Sequence, residues 1–215
     1  MTCCNYATDA DKQFGTQRAD RELARYRRKG PGATARLLSE SLAHAGSGEG
    51  TLLEIGSGVG GLIFSMLDRG MTRAIAVDAS SAFLAAASEE AARRGRTGSI
   101  RFVHGDFLAV ASEIPQATTV VLDRVVCCYP SWEPLLDEAL RRADRYFAYS
   151  HPRQIWYTHA ANALTNLGRR LRGRSFRTFI HPTSRMEQAI RAAGFSLVKR
   201  RQTPIWRVDA YVRSS

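Results

Sequence analysis

Residues 51–61, Thr51-Leu52-Leu53-Glu54-Ile55-Gly56-Ser57-Gly58-Val59-Gly60-Gly61, decide how this chain folds. An apolar run leads directly into a glycine-rich turn, and an apolar helical pattern follows over 61–68. Such a stretch makes a buried strand, turns sharply and opens a helix against whatever occupies the turn. Gly56, Gly58 and Gly60 remove the side chains that would block a close approach there. Further along the chain, apolar runs predict strands at 74–77, 100–103, 118–122 and 146–149. Helices are predicted at 80–94, with a serine cap and a stop at Gly95, and at 133–142. Strands that alternate with helices imply an α/β fold with a doubly wound, parallel sheet.

The two ends depart from this alternation. Residues 9–29 are charged and carry no strand pattern, and a helix is predicted over 31–44 behind Pro31. Residues 45–50 read as a Gly/Ser linker. The expected organisation is a helical N-terminal cap over 1–45 and a core over 46–215, with a basic, glycine-punctuated lid insertion around 151–182. A helix over 183–193 is expected to open on a capping box of Ser184 and Glu187. Two β-like runs at 196–201 and 205–212, around Pro204, predict a terminal antiparallel pair.

The chain has 215 residues, 44% of them hydrophobic, enough for one substantial core without disulfide or metal staples. No stretch has the length of a membrane span, and the N-terminus has no signal-peptide pattern, so a cytoplasmic location is expected. Thirty-one basic against twenty acidic residues leave a net charge of +11. The basic residues cluster at Arg169, Arg170, Arg172, Arg174 and Arg177, and again at Lys199, Arg200 and Arg201. A field of this sign attracts an anionic small molecule or nucleic acid, although solvated faces account for it equally well. The cysteines form two adjacent pairs, Cys3-Cys4 and Cys127-Cys128, without zinc-knuckle spacing. The five histidines show no metal triad, and no metal is expected.

Gly56, Gly58 and Gly61 also satisfy G-x-G-x-x-G, which leaves a nicotinamide site open. Three acids separate the alternatives. Glu54, two positions before Gly56, would repel a pyrophosphate but suits the cationic amino group of a methionine moiety. Asp78 follows the second strand, 22 residues after Gly56, where a carboxylate can accept from ribose hydroxyls. Asp106, in Val103-His104-Gly105-Asp106-Phe107, is placed to accept from an adenine amino group, with Phe107 flanking the ring.

Together, Glu-x-Gly-x-Gly-x-Gly, Asp78 and Gly105-Asp106-Phe107 resemble the class I S-adenosylmethionine-dependent methyltransferases, over 51–123 and in the right order. The resemblance implies a Rossmann-like methyltransferase sheet and S-adenosylmethionine as cofactor, with S-adenosylhomocysteine as product. It implies cofactor contacts from Glu54, Gly56, Ser57, Gly58, Gly60, Asp78, Ala79, Asp106, Phe107, Asp123 and Arg124.

On the acceptor side, the segment after the fourth strand lacks the Asn/Asp-Pro-Pro-aromatic motif of enzymes that methylate base or glutamine amino groups. Asp123–Pro130, Arg177-Thr178-Phe179-Ile180-His181 and Ala192-Ala193-Gly194-Phe195 resemble magnesium-protoporphyrin O-methyltransferases and their bacterial relatives. Cys128 stands where that family commonly has a histidine. Tyr26 is a candidate lid residue over the methyl group, Cys128 and Tyr129 are candidate pocket residues, and His151 is a candidate general base. The expected function is methyl transfer to a small-molecule acceptor, through an oxygen of an anionic or aromatic metabolite. Alternatives are an RNA methyltransferase that uses the arginine clusters, and a non-catalytic cofactor-binding regulator.

Overall fold

The computed structural model describes Asp11 and residues 13–214; Cys3 and Cys4, and with them the start of the expected cap, lie outside the described residues. The chain opens with helices α1 (Thr16–Lys29) and α2 (Ala33–His44). Strand β1 (Thr51–Ile55) then begins an alternation with helix α3 (Gly61–Leu67), β2 (Arg73–Asp78) and α4 (Ser81–Arg93). It continues through β3 (Ile100–His104), the short α5 (Phe107–Val110), β4 (Ala117–Asp123), α6 (Trp132–Arg142) and β5 (Ala143–Pro152). Helices α7 (Trp156–Leu171) and α8 (Thr183–Ala192) lead to the closing strands β6 (Phe195–Gln202) and β7 (Trp206–Arg213).

The seven strands form one sheet in the order β3-β2-β1-β4-β5-β7-β6. The pairs among β1 to β5 are parallel, and β7 runs antiparallel to both β5 and β6. This is the α/β sheet with an antiparallel terminus that the alternation predicts. Strand β1 is central and its residues from Leu52 onward are buried, which explains why it reads as a continuous apolar run rather than an alternating one. The chain winds outward from β1 in one direction to β3 and then in the other from β4. The loops after β1 and β4 therefore part at their carboxyl ends, where open α/β sheets hold ligands.

Each face of the sheet has its own core. Leu38 and Leu42 of α2 pack with Leu62, Ile63 and Met66 of α3 on one face. Leu135 and Leu136 of α6 pack with Met186 and Ile190 of α8 on the other. The N-terminal helices thus belong to a main core layer. Helix α1 is locked to α4 by a cluster around the buried Glu90, which takes Arg27 at 2.9 Å, Arg93 at 2.6 Å and Arg94 at 2.8 Å.

Two local expectations change. Strand β5 runs from Ala143 to Pro152, well beyond 146–149, because β7 pairs with it from Tyr146↔Val212 to Pro152↔Trp206. A partner remote in sequence extends the strand, and His151 becomes part of it. The capping box at Ser184 and Glu187 does not form. Helix α8 begins at Thr183, so Ser184 is already inside it, and Pro182 is the residue before it. The side-chain oxygen of Gln154 accepts from the Thr183 N–H at 3.1 Å instead. Glu187 turns to Arg191, Arg200 and Arg207.

Candidate functional site

A cleft of about 290 Å³ opens at the carboxyl ends of β1 and β4. Its floor is the glycine-rich loop. Gly56 has φ +70°, and a Cβ there would lie 2.4 Å from Val125 Cγ2, so only glycine lets the loops after β1 and β4 meet. Gly60, at φ +78°, turns the chain into α3 and does not line the cleft. The loop is tied to β2 by the Gly56 and Ser57 N–H groups, which donate to Val77 O at 2.7 and 3.0 Å.

Asp78 sits in the cleft wall with its carboxylate turned toward this loop. Oδ2 accepts from Gly58 N at 2.7 Å and Oδ1 from Ser80 N at 2.8 Å. Burial raises its pKa against the pull of those two bonds. Each oxygen retains a lone pair for a ligand hydroxyl. Asp78→Ala should weaken binding of the demethylated cofactor by about 1.5–3 kcal/mol, a lost charged hydrogen-bond pair, as measured by calorimetry.

Glu54 is 3% exposed and lies on the last turn of β1 at the cleft. Burial holds its pKa well above the ordinary carboxyl value, with Asp123 and Asp78 adding repulsion. Its Oε2 is buried without a hydrogen-bond partner, and so is Oγ of Ser57. Among the described residues this leaves a buried carboxylate oxygen and a hydroxyl open on the same cleft, groups that could hold a small cationic, hydrogen-bonding ligand. Ala79, Phe83 and Phe107 complete the wall next to Asp78.

Asp106, the expected adenine acceptor, also holds protein groups through one of its two carboxylate oxygens. Its Oδ1 accepts from Leu108 N at 3.2 Å, capping α5, and from the Tyr129 hydroxyl at 2.5 Å. Gly105, Phe107 and Tyr129 line the cleft, whereas Asp106 does not. Tyr129 is thereby anchored by its hydroxyl and presents its ring.

The loop after β4 carries the far side. Asp123 Oδ1 accepts from Ser150 Oγ at 2.6 Å, and Oδ2 accepts from Thr34 Oγ1 at 3.0 Å. The same Ser150 oxygen accepts from Arg124 N at 2.8 Å and holds Arg124 at φ +60°, a conformation uncommon for a non-glycine residue. Strain of this kind costs about 1–3 kcal/mol and collects at ligand sites. The short turn behind it directs the thiols of Cys127 and Cys128 to Arg124 O, at 3.4 and 3.6 Å. The adjacent Cys127 thiol lowers the Cys128 pKa, assisted by Arg169 and Arg124; the Cys128 neighbour, with burial, raises that of Cys127. Tyr26 lines the cleft as well, stacked on Phe64 with centroids 6.0 Å apart.

His151 is the candidate the structure removes. It is 2% exposed on β5, stacks on Tyr149 with centroids 5.0 Å apart, and lies 3.9 Å from Asp209. It does not line the cleft. The pairing of β5 with β7 that extends the strand also buries this side chain. His181, without an evident partner in the sequence, bonds through Nε2 to Tyr129 O at 2.9 Å, and burial lowers its pKa.

Several cleft residues carried no local signal. Arg18 and Phe14 come from the segment before α1 and its first turn, Arg169 from α7, Phe176 and Thr178 from the stretch after α7, and Trp206 from β7. Phe14 and Phe176 meet edge to face at 5.5 Å, which joins the segment before α1 to the stretch after α7 over the cleft. Arg169 belongs to a visible arginine cluster, but nothing in the spacing distinguishes it from its neighbours.

Comparison with known proteins agrees with this geometry. Residues 52–148 match the model of a methyltransferase-domain family. That segment of the chain is similar to a methyltransferase domain. No curated protein sequence matches the chain. Among solved structures, magnesium protoporphyrin IX methyltransferase from Synechocystis PCC 6803 with bound S-adenosylhomocysteine is similar, at 19% identity and TM-score 0.76, over 96% of this chain and 99% of that one. Its form with S-adenosylmethionine bound aligns over the full length of both, at 17% identity and TM-score 0.72. An O-methyltransferase family protein from Burkholderia thailandensis shares 16% identity at TM-score 0.71, over 97% of this chain and 62% of that one. At these identities the structural likeness establishes the class I methyltransferase fold. Among the described residues, no helix is long and apolar enough to cross a membrane.

Proposed function

We propose that this methyltransferase transfers the methyl group of S-adenosylmethionine to an oxygen of an anionic, partly aromatic small molecule, most simply a carboxylate. The observation that carries this reading is the ring of guanidinium groups beyond the glycine loop. Arg18, Arg124 and Arg169 all line the cleft and all act electrostatically on Cys128. Phe14, Tyr129, Phe176 and Trp206 stand among them. Burial depresses the pKa of both Arg18 and Arg169, as it would for cations held in readiness for an anion.

The cofactor fits the chain's own residues. Glu54 and Ser57 would take the amino group of the methionine moiety, Asp78 the ribose hydroxyls, and Ala79, Phe83 and Phe107 the adenine. When bound, S-adenosylmethionine supplies a methyl group already activated by a sulfonium. The protein's part is then alignment, and proximity with orientation can supply most of the acceleration. A carboxylate acceptor arrives ionised, so no general base is required, in keeping with the removal of His151 from the cleft. The arginines hold the acceptor oxygen and screen its charge. The helical N-terminal segment and residues 151–182 cover the acceptor end, as the Phe14–Phe176 contact supports.

The test is incubation with methyl-labelled cofactor and a panel of aromatic carboxylic acids and lysate fractions. The expected product is small, resistant to ribonuclease, and loses its label as methanol in mild base, as a methyl ester does. Label that is sensitive to ribonuclease, or stable to base, would overturn the reading. Arg169→Gln should raise the acceptor KM roughly tenfold or more, the loss of one charged hydrogen bond, with cofactor affinity unchanged. Cys128→Ala should alter kcat for the acceptor and leave cofactor affinity intact, because Cys128 faces the acceptor end.

A further inference from the structure

Helix α7 is held firmly from below. The side-chain amides of Asn162 and Asn166 donate to Thr178 O at 3.0 and 2.7 Å, and the Arg169 guanidinium donates to Thr178 Oγ1 at 3.1 Å. Its orientation is therefore fixed, yet among the described residues the opposite face is left exposed. Trp156 is 80% exposed, Leu164 69%, Leu167 52% and Leu171 79%. With Ala160 they stand at a spacing of three to four residues, which puts all five on one side of the helix. Tyr157 Oη donates to Pro204 O at 2.7 Å, so the β6–β7 turn abuts the stripe and adds Ile205, 51% exposed. Isolated apolar residues on a surface need no explanation, but a continuous stripe does.

The charge along this part of the chain is of one sign. No Asp or Glu occurs between Asp144 and Glu187, and Arg170, Arg172 and Arg174 gather at the C-terminal end of α7. We propose that the outer face of α7 docks the methyltransferase on an anionic membrane surface, with the helix lying in the interface. A helix of 16 residues is about 24 Å long, too short to span a bilayer but suited to lie in its headgroup boundary. Trp156 occupies one end as an interfacial aromatic, the leucines enter the acyl boundary, and the arginines reach the headgroups. Arg169 of the same helix lines the cleft, so docking sets the acceptor end beside the membrane. The proposal does not depend on which acceptor is methylated.

The full chain should be tested by flotation with vesicles of phosphatidylcholine alone and of equal parts phosphatidylcholine and phosphatidylglycerol. Binding should be at least about tenfold tighter on the anionic vesicles and weaken with added salt. Tryptophan emission should shift to the blue on binding, and Trp156→Phe should remove that shift. The neutral pair Leu164→Gln with Leu167→Gln should reduce binding at least about tenfold with thermal stability unchanged, since both side chains are exposed. Binding that survives this pair would belong to the general positive charge and overturn the proposal, as would equal binding to both vesicles or none. A concentration-dependent dimer abolished by the same pair would assign the face to a second copy of the chain and overturn it too.

Discussion

Glu54→Gln should weaken S-adenosylmethionine and S-adenosylhomocysteine binding about 30- to 100-fold and, in the same protein, leave the empty fold as stable or more stable. The two effects oppose each other because burial and the repulsion of Asp123 and Asp78 outweigh the pull of Arg124 on Glu54. Its Oε2 has no partner, and its pKa stands well above that of a free carboxyl group. A ligand cation at this position would gain a charged hydrogen bond in a water-poor site, about 2–3 kcal/mol. The empty protein bears the burial of the charge alone, and glutamine relieves it at equal size. The sign with pH follows. A raised acid favours the folded state while protonated, so the empty protein loses stability as pH rises from the ordinary carboxyl value near about 4.3 toward the elevated one. Cofactor affinity should rise over the same window as the carboxylate ionises, and binding should release a proton. Calorimetry in two buffers of different ionisation enthalpy checks this, with thermal melts of both proteins. Unchanged affinity in the variant would remove Glu54 from the cofactor site.

The second large effect is structural. Glu90 is fully buried at the α1–α4 interface, and its pKa is pulled down to about 2, first by the hydrogen bonds from Arg93 and then by Arg94 and Arg27. Glu90→Ala removes the charged hydrogen bonds that join α1 to α4 and should cost about 1–3 kcal/mol, because the three guanidinium groups it leaves keep much of their hydration. A depressed acid contributes stability that is complete above the unfolded value near about 4.3 and is lost as pH falls toward about 2. The wild-type protein should therefore lose stability steeply across that acid window, and the variant should start lower with a shallower slope. Urea melts at a series of pH values measure both. Because α1 also carries Arg18 and Tyr26 into the cleft, the variant should lose acceptor turnover before it loses cofactor binding.

The sequence by itself determined β1, the glycine-rich turn and α3, together with the positions of Glu54 and Asp78. These depend on residues close in the chain: strand periodicity places Glu54, the left-handed φ at Gly56 demands glycine, and the carboxyl end of β2 must lie beside the loop once β1 and β2 pair. Alternation also gives a doubly wound parallel sheet, and the two runs around Pro204 give a terminal antiparallel pair; the place of β7 between β5 and β6 comes from long-range pairing. Only the tertiary structure decided the rest. Asp106 reads as a ligand acceptor, and only the structure shows that one of its oxygens also takes the Tyr129 hydroxyl. His151 reads as an accessible base until β7 extends β5 and buries it beside Asp209. Ser184 and Glu187 read as a cap until Gln154 and the arginines of the closing strands claim those roles. Arg18, near the N-terminus, and Arg169, far along the chain, meet at Cys128 although no local pattern relates them. Local spacing dictates backbone geometry through sterics and hydrogen bonding within a few residues. Which polar side chains remain free for a ligand depends on partners brought in by long-range packing, and no spacing in the chain records it.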